Sequence, residues 1–412
     1  MQRACAKLIF NLVLNPGART QLVKLGIIAT LRGLIGDMGD HVLNRYCALC
    51  LCVLSQVSLT SELDDLARRE VLRTGAFRVI IDDALISEAE FQYVASVTLY
   101  NLSWDESTRE DLVKQGGLQA IANVCDTQRS AQDVEIAQYL CLALYNLSCA
   151  PGLVETVAQP QVLVTLRQLL SFDLCTQYMH RLVAWTLFNL TTCEARASAL
   201  VESGAVKLCA EIWDERPGSP PKTARRASVG GGLGDALPDE RNGAALALCN
   251  LLVSRTNTRR IVTDGGCSVL AEYTIAALPP TAANHGLAVA KKEAPSHFLL
   301  LVAAWRNLLV QFGNHRSAIE AHCVPALLRL TRNFRGCVEI ADNVGAALLC
   351  LATSECGRKH VDTAECAEAI AAHDPRANPN PTRLAELAQK SSAGKRLSFI
   401  PTNLLLKIEK ER

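Results

Sequence analysis

A leucine–X–asparagine–leucine phrase, exact or slightly varied, returns along the 412 residues, and its spacing leaves few folds open. The copies are IFNLV at Asn11, LYNLS at Asn101, LYNLS at Asn146, LFNLT at Asn189, LCNLL at Asn250 and WRNLL at Asn307. Two degenerate copies carry Val53 and Cys350 in the asparagine slot. Successive slots are 42, 48, 45, 43, 61, 57 and 43 residues apart. Five of these steps lie at or within one residue of the roughly 40–47 residues of two- and three-helix repeat units. The two long steps each contain an insertion. A chain of this kind does not need one large core, because each unit has only to cover its neighbours.

A second element keeps phase with the first. Gly26, Gly75, Gly116, Gly204 and Gly265 each follow a short apolar helix and precede another. Glycine suits a sharp corner between helices because it enters left-handed backbone conformations without strain. After the corner come amphipathic runs such as residues 27–35 and 118–125, with apolar positions at helical spacing. The third segment, EIAQYLCLALYNLS at 135–148, is apolar nearly all round, which requires packing on several sides.

Three helices per unit, a glycine at the first corner and an inner helix ending in Asn-Leu-Ser resemble the armadillo repeat family over about residues 1–366. The resemblance implies an all-α fold, a right-handed α-solenoid of about eight three-helix repeats. The corner glycine is missing at Gln159-Pro160 and at His322-Cys323, although both units keep their asparagine phrase nearby. No kinase or U-box segment accompanies the repeats.

The expected organisation is repeats over 1–213 with the first one incomplete, an insertion loop at 214–240, and repeats again over 241–366. A second insertion falls at about 278–296, and a Pro-rich tail with an amphipathic helix occupies 367–412. The chain opens inside a third helix. Either Met1 is not the natural start, which is the preferred reading, or the uncapped N-terminal end docks on something.

The formal net charge of +1 gives no global reason to expect nucleic acid or an acidic membrane as partner. Seventeen cysteines sit mostly in apolar helical stretches and form no disulfide framework, which points to a reducing, cytoplasmic compartment, with a nuclear or ciliary one as variants. The apolar run after Arg3 and Lys7 is short and broken by Asn11, so it does not read as a signal peptide.

The sequence has no GxxxxGK[ST], HExxH or GxSxG motif and no GxGxxG after a strand, so a non-enzyme without catalytic residues or cofactor is expected. Cys47, Cys50 and Cys52 look metal-like at first, but they lie mid-helix without a second ligand cluster, so core packing is expected and no metal. Arg225-Arg226-Ala227-Ser228 resembles a basophilic kinase site and makes Ser228 a phosphorylation candidate. An ordinary solubilising loop is the plainer alternative.

In the armadillo family the third helices line the concave face, and the resemblance implies a ladder of amides there. An asparagine offers a donor and an acceptor to an extended backbone. The candidates are Asn11, Asn101, Asn146, Asn189, Asn250 and Asn307, and the plainer role for each is a bond to the adjacent turn. Trp185, one turn before Asn189, is the single match to the tryptophan–asparagine pairing of nuclear-import adaptors. With Arg181 it is either a partner anchor or plain core. The expected function is a non-catalytic scaffold that holds extended protein segments, with no nucleic acid or small-molecule substrate and with membrane contact only through a partner. Two other readings stay open, an exchange factor for a small GTPase and a component of a large assembly such as a cilium.

Overall fold

The computed structural model describes residues 1–34, 40–56, 62–84, 89–131, 133–172, 175–214, 239–278 and 294–373. Among the described residues the regular structure is 24 α-helices with short 3-10 turns and no strand. The fold is all-α. A lone helix, Gln2–Val13, is followed by seven triplets and a final pair. The third helices of the triplets are His41–Ser55, Ala89–Trp104, Val134–Ser148, Gln177–Thr191, Glu240–Leu251, Ser296–Leu309 and Val338–Ala352, the longest of their triplet except that Gly117–Ala131 equals Val134–Ser148 at 15 residues. The final pair is Glu355–Val361 and Ala364–His373, so helix continues past residue 366. Ser228, most of both insertions and residues 374–412 lie outside the described residues.

Local chemistry explains where these helices start. Asp105 accepts from the Ser107 amide at 2.9 Å, Asp133 from Glu135 at 2.9 Å and Ser354 from Gly357 at 3.0 Å. Each side chain satisfies an amide that has no partner inside the helix. The ends of the third helices are closed from the next unit. Arg109 Nε donates to Ser103 O at 2.8 Å, and Asn314 Nδ2 donates to Leu308 O at 3.0 Å. A cation or amide there also complements the negative end of the helix dipole.

All five corner glycines have positive φ, between 71° and 93°. The unit without a glycine makes the same corner with His322, whose φ is 61°. The Gln159-Pro160 unit turns without a left-handed residue, through extended Gln159 at φ −110° and ψ 150° with Pro160 opening the next helix.

The chain divides into two compact units, one holding Met1–Thr186 and the other beginning at Leu187. In the first, Gln2–Val13 packs on His41–Ser55, that helix on Ala89–Trp104, and that in turn on Val134–Ser148. In the second, Glu240–Leu251, Ser296–Leu309, Val338–Ala352 and Ala364–His373 follow in the same way. Third helices are therefore flanked on several sides, and 11 of the 15 residues of Val134–Ser148 are buried. Small side chains let the helices approach closely. A Cβ on Gly345 would run into Ala369 O, 2.7 Å away.

All seventeen cysteines are free thiols, and twelve are buried. Burial pushes Cys47 up to about 11 and Cys50 up to about 12, so these thiols stay protonated and act as small apolar side chains. No helix among the described residues is long and apolar enough to cross a membrane.

Candidate functional site

The recurring phrase has a hydrogen-bond logic that includes the Ser or Thr two residues after the asparagine slot. Each such hydroxyl donates back to the carbonyl three residues earlier: Ser55 to Cys52 at 2.8 Å, Ser103 to Tyr100 at 2.7 Å and Thr191 to Phe188 at 2.8 Å. That bond turns the oxygen's lone pairs toward the next unit. There the next asparagine donates: Asn101 Nδ2 to Ser55 Oγ at 3.3 Å, Asn146 Nδ2 to Ser103 Oγ at 3.1 Å and Asn250 Nδ2 to Thr191 Oγ1 at 3.2 Å. Where the hydroxyl is lacking, Asn307 Nδ2 donates to the Leu252 carbonyl at 3.3 Å. The phrase is thus a staple between consecutive units.

At Asn101, Asn146 and Asn307 the staple uses one of the two amide hydrogens and leaves the acceptor unused, whereas Asn250 Nδ2 donates to Phe188 O at 3.4 Å as well. The Oδ1 atoms of Asn101, Asn146 and Asn307 have no hydrogen-bond partner among the described residues. Asn250 Oδ1 is buried and likewise has none. Asn101, Asn146, Asn189, Asn250 and Asn307 are only 3–7% exposed, so each amide sits at the bottom of its surroundings. Asn11, at the open end of the first unit, is exposed.

The row one turn before the amides is mostly wall. Val97, Leu142, Leu246, Ala303 and Ala346 are buried, and Trp185 is 5% exposed, which leaves its ring little surface to offer. Accessible chemistry lies two turns back. Arg3 Nε donates to Asp40 Oδ2 at 2.6 Å and holds the Asp40 carboxyl below the usual carboxylate range, while Asp40 also caps the His41–Ser55 helix. Arg45 Nε donates to Glu90 Oε1 at 3.0 Å. Tyr93 and Arg181 are half-exposed.

Sequence reasoning passed over the tyrosines. Six of the seven in the chain, Tyr46, Tyr93, Tyr100, Tyr139, Tyr145 and Tyr178, lie on third helices within Met1–Thr186. All six are half-exposed. Tyr93 meets Tyr139 edge-on with centroids 5.9 Å apart, Tyr139 meets Tyr100 at 5.6 Å, and Tyr100 meets Trp104 at 6.0 Å. Burial raises Tyr100 and pushes Tyr178 up to about 12, so the hydroxyls remain neutral. Counting aromatic types segment by segment would have revealed the concentration.

No family model and no curated protein matches the chain. Solved structures do. An engineered protein superposes with a TM-score of 0.52 at 15% identity, covering 95% of this chain and 94% of that one. A chain from the structure describing a conserved phosphorylation switch that controls the interaction between cadherin and β-catenin reaches 0.56 at 15% identity, covering 92% of this chain and 68% of that one. At such identity these likenesses show the fold alone.

Proposed function

We propose that the chain is a non-catalytic armadillo-type scaffold that holds extended segments of other proteins along its third helices. The observation that carries this reading is the half-used amide. The staple fixes Asn101, Asn146 and Asn307, so an unspent acceptor and a second N–H are held in place there before any ligand arrives. An extended peptide backbone offers the complementary N–H and C=O groups at regular intervals. Prior fixation reduces the entropy lost on binding. The fold is also like that of a chain from a structure concerned with a protein–protein interaction, cadherin with β-catenin. On this reading the partners are proteins, with no nucleic acid, small-molecule substrate or cofactor, and the free thiols suit a cytoplasmic setting.

The test is selection of random twelve-residue peptides on the full chain, followed by titration of the recovered peptides against the Asn101→Ala, Asn146→Ala double variant. The expected result is a loss of affinity of about tenfold or more, with the helical circular-dichroism signal retained. Peptides that bind the folded double variant as tightly as the parent would overturn the reading.

A further inference from the structure

The tyrosine run is more open than the amide row, and its chemistry selects among extended segments. Ring contacts pass without a break from Tyr93 through Tyr139 and Tyr100 to Trp104, across two neighbouring third helices, and all four rings are half-exposed. Charge is sparse and balanced on the third helices that carry the rings. Arg45 and Glu90 pair with each other, and Glu135 and Arg181, again one of each sign, are the other half-exposed charges on these helices. The surface therefore favours neither a basic nor an acidic ligand.

We propose that this tyrosine run takes a neutral, proline-rich segment of a partner protein in the polyproline-II conformation. The proposal rests on the scaffold reading and names the class of its occupant. Proline rings are flat and apolar, and they stack on aromatic faces. The polyproline-II backbone is already extended, so little conformational entropy is lost. Proline has no N–H, so such a segment presents an excess of carbonyl acceptors. The surface answers with donors, the hydroxyls of the half-exposed ring run and the second N–H of Asn101 and Asn146. Tyrosine supplies the area at low entropic cost because it has only two side-chain torsions.

Calorimetric titration of the full chain with decaproline tests this, beside an alanine–glutamine decamer, decalysine and decaglutamate. Decaproline is expected to bind with a Kd on the order of 100 µM, and the other three at least about tenfold more weakly. Tyr139→Ala is expected to lower decaproline affinity about tenfold, whereas Tyr139→Phe, which keeps the ring, retains most of it. If Tyr139→Ala does not fold, Tyr93→Ala serves instead, with an expected loss of about threefold to tenfold from the missing ring. The proposal is overturned by absence of decaproline binding, by equal binding of the alanine–glutamine decamer, by preference for a charged decamer, or by unchanged affinity in the folded Tyr139→Ala chain. Selected peptides that depend on Asn101 and Asn146 while decaproline fails would sink this inference and leave the scaffold reading standing. If no peptide of either kind binds, both fall.

Discussion

Asn146 Nδ2 reaches Ser103 Oγ at 3.1 Å, and that hydroxyl gives its own proton to Tyr100 O at 2.7 Å. Removing either partner therefore has a different consequence. Asn146→Ala leaves Ser103 still donating and loses one hydrogen bond, a cost of about 1 kcal/mol. Ser103→Ala leaves an amide hydrogen of a buried asparagine without an acceptor and should cost about 1–3 kcal/mol. If the pair is a real staple, the two effects should not add. Urea denaturation of both single variants and the double variant should give a coupling of about 1 kcal/mol, and simple additivity would show that the bond contributes nothing. The same cycle separates stability from binding, since Ser103 is argued to position the amide without touching a ligand.

At the scale of the element, the corner between first and second helix combines two demands. Gly116 has φ 91°, and a Cβ there would meet nothing within 4 Å, so only backbone strain opposes a side chain. At the neighbouring Gly117 a Cβ would lie 2.8 Å from Leu112 O, so space opposes it. Gly116→Ala should cost about 1–2 kcal/mol. His322 bears that strain already, and His322→Gly should gain up to about 1 kcal/mol in thermal or urea denaturation. A loss would mean that the imidazole makes a stabilising contact which outweighs the φ penalty. The five glycine corners were legible in the sequence because glycine advertises its backbone freedom. His322 was not, since histidine carries no comparable preference. The register held the missing signal. Gly26, Gly116, Gly204, Gly265 and His322 all fall 15 residues after their asparagine slot. The asparagine phrase was legible too, but its donation to the preceding unit was not, because one helix in isolation does not show which neighbour its polar face meets. Trp185 drew notice by type, while its burial depends on packing that no helical period reveals.

For the whole molecule, stacked units draw stability mainly from their immediate neighbours, so a perturbation at one joint should loosen that region before others. The second compact unit contains such a joint. His315, 1% exposed, has Nε2 2.8 Å from Leu309 O and Nδ1 2.9 Å from Ser354 Oγ, the hydroxyl that caps the Glu355–Val361 helix. It thereby ties the end of one third helix to the start of a first helix two units on. Nε2 faces a carbonyl and must carry the proton, which leaves Nδ1 to accept from Ser354. The third neighbour is the Phe312 ring, 5.3 Å away, so none of these contacts bears a charge to balance an imidazolium. Burial accordingly holds His315 below the ordinary histidine range. With the folded value depressed, the unfolded chain binds more protons in the window between the ordinary and the lowered value, so stability falls as pH falls through it. Above the ordinary histidine value the contribution is complete. Hydrogen exchange at about pH 7.5 and about pH 5.5 should show the amides of Glu355–Val361 losing protection at the lower pH, while those of Val134–Ser148 change less. His315→Gln, which keeps a donor and an acceptor but does not titrate, should flatten the difference. An unchanged pH response in that variant would place the sensitive group elsewhere.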